Sequence, residues 1–256
     1  MQLFDSHLHL NHPDFEGRVD EVWQAAQEAH VAQAVVIGYD LASSQAAIRI
    51  AENHDSLWAT VGVSPHEIAQ APEDYIEQLE ALAGHPKVCA IGEAGLEYHY
   101  PVGPAQMQIR EFNRQTQLAN RLGKAIVIHL RDADEDFLRV LDECPPDRAI
   151  MHCFTASMPV MQAAVDRGYM VSFSGIVTFK KAQDIQQAAE AVPQDNLLIE
   201  TDSPYLAPVP FRGKPCEPKM IVHTAEKVAQ LRNTPLEDIA AVTRANAHRI
   251  FQLDHD

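Results

Sequence analysis

The chain has 256 residues, 46% hydrophobic and 22% charged, with a formal net charge of −16, so it can bury a large α/β core but repels a phosphate backbone at long range. That balance excludes a broadly basic nucleic-acid coat and confines any nucleic-acid contact to a local patch. Residues 1–10 hold an acid and two histidines in place of a cationic start and an apolar run, no apolar stretch reaches bilayer length, and Cys89, Cys144, Cys153 and Cys216 show no C-x-x-C spacing; a cytoplasmic protein with reduced thiols, no membrane span and no disulfide framework is expected.

Short β-branched runs alternate with longer amphipathic ones along the whole chain. A strand at 2–6 precedes a helix at 19–29, and the pattern repeats as 33–37 with 43–53, 57–61 with 74–83, and 88–91 with 105–121. It continues as 125–128 with 134–141, 149–151 with 159–166, 169–173 with 182–191, and 197–201 with 218–231; residues 235–251 add one more helix. Pro72 ahead of Glu73-Asp74 and Pro235 after Thr234 are suitable helix starts. Eight strictly alternating units without a linker predict a parallel sheet with right-handed crossovers, and at this length a single (β/α)8 TIM barrel spanning residues 1–256. A doubly wound open sheet is the alternative, and no Gly-x-Gly-x-x-Gly follows the first strand to support it.

Charge is uneven: residues 1–100 carry 16 acids against only Arg18, Arg49 and Lys87, which leaves 36 − 16 = 20 acids against 20 − 3 = 17 bases in the rest.

In such a barrel the chemistry collects where strands end. His7 and His9 end the first predicted strand, Glu93 follows the fourth, His129 ends the fifth, His152 the sixth and Asp202 the eighth, with His66 just past the third. His7 and His9 lie two residues apart, about 6.6 Å between Cα atoms on an extended backbone, so both imidazoles share a face and can reach one ion at about 2.0–2.1 Å. By itself His-x-His reads equally as two solvated residues. His30, His54, His85, His223, His248 and His255 fall in helices, turns or the tail, where surface or packing roles are expected.

Four imidazoles and two carboxylates exceed what one tetrahedral ion takes, so two divalent ions are expected. Glu93 is assigned as the bridge, His7 and His9 to one ion, His129 and His152 to the other, and Asp202 as ligand and proton acceptor for the attacking water. Glu93 as a turn cap, and Asp202 before Ser203-Pro204 as an Asx-turn residue, remain open on these grounds. The ligand types suit zinc, manganese or magnesium.

Five blocks in order carry a family resemblance. They are Asp5-Ser6-His7-Leu8-His9-Leu10, Gly92-Glu93-Ala94-Gly95-Leu96-Glu97-Tyr98, His152-Cys153-Phe154-Thr155, Glu200-Thr201-Asp202-Ser203-Pro204-Tyr205-Leu206, and Arg212-Gly213-Lys214 with Glu217-Pro218. Together they resemble the TatD-like metal-dependent deoxyribonucleases over nearly the whole chain. The resemblance implies an amidohydrolase-type barrel, a divalent metal centre with the six ligands above, and hydrolysis at DNA ends. It also implies that His66 lines the substrate pocket. The chain departs from the family pattern at Ser64 (usually His), Glu97 (Asp), Ala156 (Gly) and Cys216 (Asn), none of them among the proposed ligands.

Arg131, Lys180, Lys181, Arg212, Lys214 and Lys219 follow strand ends or fall in the last long loop. They form a candidate basic rim, with His66, Arg131, Arg212 and Lys214 as the substrate-binding set, although each reads equally as a solvated cation. Two activities fit these residues: a phosphodiesterase acting on DNA ends, and a hydrolase of a small amide, ester or lactone on the same barrel. A metal-loaded scaffold without turnover is disfavoured, because Asp202 supplies a base.

Overall fold

A computed structural model describes residues 1–253. Eight strands, β1 (Leu3–Leu8), β2 (Val31–Val36), β3 (Leu57–Val61), β4 (Val88–Glu97), β5 (Ala125–Arg131), β6 (Ala149–Met151), β7 (Met170–Phe173) and β8 (Leu197–Ile199), pair in parallel in sequence order. Between them run α1 (Val19–Glu28), α2 (Leu41–Glu52), α3 (Tyr75–Ala83), α4 (Ala105–Leu122), α5 (Asp134–Glu143), α6 (Met158–Asp166) and α7 (Gln183–Ala191), followed by α8 (Ile221–Arg232) and α9 (Leu236–Phe251). The last strand meets the first just above their ends, where the Asp202 amide donates to the His7 carbonyl at 2.9 Å and the His9 amide to that of Ser203 at 2.8 Å. This is the TIM barrel expected from the alternating pattern.

The interior and the outer layer are separate clusters. Phe4, Val35, Ile37, Val127, Ile150 and Leu198 point into the barrel, which is closed below by Phe251 and Leu253. Leu3, Leu8, Ile91, Ile126 and Ile199 face outward against the helices. Along β5, Ala125 and Val127 point in while Ile126 and Ile128 point out, so His129 arrives at the mouth by simple alternation.

β1 and β4 do not alternate simply. Asp5 pairs with Ala34 and Leu8 with Val36, three steps against two, so one extra residue bulges from β1 and its inward phase moves from Phe4 to His7 and His9. The same happens in β4, where Ile91 pairs with Ile126 and Ala94 with Ile128, and the bulge falls at Gly92 and Glu93. The strand expected to stop at residue 91 therefore runs on to Glu97, pairing Glu97 with Arg131. Gly95 permits this: at φ 152° a Cβ there would lie 1.9 Å from the His129 carbonyl oxygen, so only glycine lets the two backbones approach.

Candidate metal centre

All six expected ligands meet at the C-terminal mouth of the barrel. His7 Nε2 lies 3.2 Å from His9 Nε2 and 3.6 Å from Asp202 Oδ1, with His9 Nε2 3.4 Å from the same oxygen. Glu93 stands between two groups: its Oε2 is 3.7 Å from His7 Nε2, whereas its Oε1 is 2.9 Å from His129 Nδ1 and 3.5 Å from His152 Nε2. The His7 and His152 rings stack at 3.8 Å.

Three details correct the sequence reading. Glu93 does not follow its strand but sits inside it, placed by the bulge, so it caps no turn. Asp202 does not end its strand, because β8 stops at Ile199 and Asp202 adopts φ 58°. That left-handed turn is closed by the Tyr205 amide on the Asp202 carbonyl at 2.8 Å, leaving the carboxylate to face the histidines. Arg212 and Lys214 lie outside the mouth cavity, on the loop after β8.

The cavity, about 960 Å³, is lined by His66 and Arg131, and also by Tyr39, Tyr100, Tyr205, His12 and His99. The aromatic and histidine lining carries no spacing signal in the sequence. His255 lies outside the described residues.

Two further carboxylates hold the outer sides of the histidines. Glu200 Oε1 lies 3.2 Å from His152 Nδ1, and Glu97 Oε2 lies 3.1 Å from His129 Nε2 and 3.5 Å from His66 Nε2. The other Glu97 oxygen accepts from the amides of His99 at 2.7 Å and Tyr100 at 3.0 Å. His129 and His152 thus each have one ring nitrogen anchored by a carboxylate and the other turned to the centre, the usual arrangement behind a metal-ligating imidazole. Both acids are inside signature blocks, but nothing in one sequence separates a supporting carboxylate from a ligand.

Protonation follows from this packing. Burial, with the His152 and His9 imidazoles beside it, holds His7 well below the ordinary histidine range. Burial would raise the Glu93 carboxyl, but His152 and His129 outweigh it and hold it well below the usual carboxylate range. His152 is pushed well above its ordinary value despite burial, because Glu93 and Glu200 face it; His129 rises likewise against burial through its hydrogen bonds to Glu93 and Glu97. Burial would also raise Glu97, yet the hydrogen bonds from His129 and from the amides of Tyr100 and His99 keep it at about 2.

The donor set fits divalent ions. His7, Glu93 and His152 form one compact group of ligand atoms and His7, His9 and Asp202 another, at spacings too long for strong hydrogen bonds and with the carboxylates buried together. Such a set is stabilised by a shared cation.

The family model for TatD-related DNases matches residues 4–252. The chain belongs to the TatD-related DNase family. It is 38% identical to an uncharacterised metal-dependent hydrolase, YabD, of Bacillus subtilis, over 98% of this chain and all of that one. It is 36% identical to the 3'-5' ssDNA/RNA exonuclease TatD of Salmonella typhimurium, over 98% of this chain and 99% of that one. The structure superposes on the TatD homologue YjjV of Escherichia coli with a TM-score of 0.93 at 25% identity, covering 98% of both chains. Among the described residues no helix is long and apolar enough to cross a membrane.

Proposed function

We propose that the chain is a divalent-metal-dependent deoxyribonuclease, a single-domain phosphodiesterase that hydrolyses DNA from an end. The observation that supports it most is the division of the Glu93 carboxylate, one oxygen toward His7 and the other toward His129 and His152. His7, His9 and Asp202 would hold one divalent ion, zinc, manganese or magnesium, and His129 and His152 a second, with Glu93 offering a carboxylate oxygen to each group. Divalent ions held there would supply Lewis-acid activation of a water and positive charge for the phosphoryl oxygens.

The chain's own residues do the rest. Asp202 accepts the proton of the attacking water and returns it to the leaving oxygen, so that one P–O bond forms, one breaks, and a phosphomonoester and an alcohol are released. His66 and Arg131, at the cavity wall, hold non-bridging oxygens of the phosphate. Arg131 stacks 5.1 Å from the Tyr100 ring centroid, which fixes the guanidinium toward the cavity. Exposed Tyr100 and Tyr205 offer faces on which unpaired bases stack, favouring a single-stranded end.

The net charge of −16 favours a second reading, a small uncharged ester, amide or lactone polarised by the same ions. Turnover of single-stranded DNA against a panel of such esters and amides, each with Mg²⁺, Mn²⁺ or Zn²⁺, separates the two. DNA cleavage that requires the metal supports the first; hydrolysis of the panel alone overturns it.

A further inference from the structure

The loops after β7 and β8 are locked into one ledge beside the cavity. A Cβ at Gly175 would lie 2.1 Å from the Leu206 carbonyl oxygen, so the two backbones touch there. The Val209 amide donates to Thr178 Oγ1 at 2.9 Å, and the Arg212 guanidinium sits 4.4 Å from the Phe179 ring centroid. The ledge begins at Ile176 and Leu206, which line the cavity. It carries Lys180, Lys181, Arg212 and Lys214, all exposed.

An acidic chain has carboxylates enough to pair its cations, and elsewhere it does so, as in Arg18 with Glu21, Arg121 with Glu80, Arg139 with Glu143 and Arg167 with Asp142. Other cations donate to backbone carbonyls, as Lys87 and Arg232 do. Lys227 and Arg244 donate to glutamine side chains, and among the described residues the cationic side chains with no ion pair and no hydrogen bond are Arg49, Arg131, Lys180, Lys181, Arg212 and Lys214. All but Arg49 stand at the barrel mouth. Concentrating like charges costs repulsion that a polyanion relieves. Beyond the β6 loop the sign reverses: Asp132, Asp134, Glu135 and Asp136 line an adjoining hollow that repels phosphate.

We infer that the ledge holds the phosphate backbone of the strand as it leaves the cavity, so the enzyme grips nucleotides beyond those it cleaves. The inference rests on the nuclease reading for its substrate. Lys180 and Lys181 neutralise phosphates outside the metal centre, and the acidic hollow turns the strand away from α5. Affinity and salt dependence then grow with strand length, while the chemical step does not.

The test compares wild type with Lys180→Gln/Lys181→Gln, on a long oligothymidylate and on a thymidine dinucleotide, across a salt series. Thermal unfolding confirms that the variant folds. The expected result is a loss of about tenfold or more in kcat/KM on the long strand and a salt slope shallower by about 0.7 for each lost contact, with dinucleotide turnover unchanged. An unchanged salt slope, or an equal loss on both substrates, overturns the ledge. Should wild type cleave neither substrate, the nuclease reading fails separately, and binding of the labelled long strand in EDTA decides the ledge: it stands if the variant binds more weakly with a shallower slope, and falls if the two bind alike.

Discussion

Nδ1 of His129 lies 2.9 Å from Oε1 of Glu93, while the other nitrogen of the same ring faces Glu97 at 3.1 Å. The imidazole is thereby held between a carboxylate at the centre of the site and one behind it. If the ring serves an ion through Nδ1, both carboxylates contribute, one as ligand and one by fixing the ring's orientation and tautomer.

His129→Ala and His152→Ala should each lower bound metal by about one ion, since each site has few protein ligands to lose. Metal analysis of the purified variants is the check. Full stoichiometry in the double variant would show that these histidines hold nothing.

Glu97→Gln should weaken the ion at His129 by about 10–100-fold, the usual effect of removing the partner behind a ligating histidine. Glu97→Asp keeps the charge and should recover part of that affinity. Metal titration of wild type and both variants gives the measurement; equal affinities in all three would reduce Glu97 to a packing residue.

Metal loading should release protons. His152 and His129 are raised from the ordinary histidine value by their carboxylate neighbours, so without an ion they hold their protons to higher pH than a free imidazole does. A histidine with a raised value keeps its proton until the pH climbs through that value, and a cation must displace it. Calorimetric titration with Zn²⁺ near pH 7, repeated in buffers of different ionisation enthalpy, should report net proton release; release should shrink as the pH rises. Zero exchange would contradict the paired carboxylate and imidazole arrangement.

The barrel was legible from its alternation, and so were the histidines of β5 and β6, because Val127 with His129, and Ile150 with His152, keep an unbroken period of two. Bulges in β1 and β4 were not, because an extra residue changes no composition and leaves only a shift in pairing. A strand taken to stop at residue 91 hid the place of Glu97; Gly92 and Gly95 are the residues that let β4 run on close along β5. Asp202 was found by its block and by its residue type, but its placement at a strand end fails, since a residue with left-handed backbone beyond β8, and not the strand, aims it. The ledge needed the structure, because Phe179 and Arg212 are joined only by the packing of two loops.

The central claim, a two-ion phosphodiesterase with Asp202 as base, is tested most directly by kcat of Asp202→Asn on single-stranded DNA, with circular dichroism and metal content measured on the same sample. The amide keeps the shape of the side chain and can accept a hydrogen bond, yet cannot take up a proton at neutral pH. The account predicts a folded protein that retains metal at His129 and His152 and loses at least about a hundredfold in kcat, within the range typical of a positioned general base. Near-native turnover would contradict it and move the base elsewhere, with His66 the next candidate.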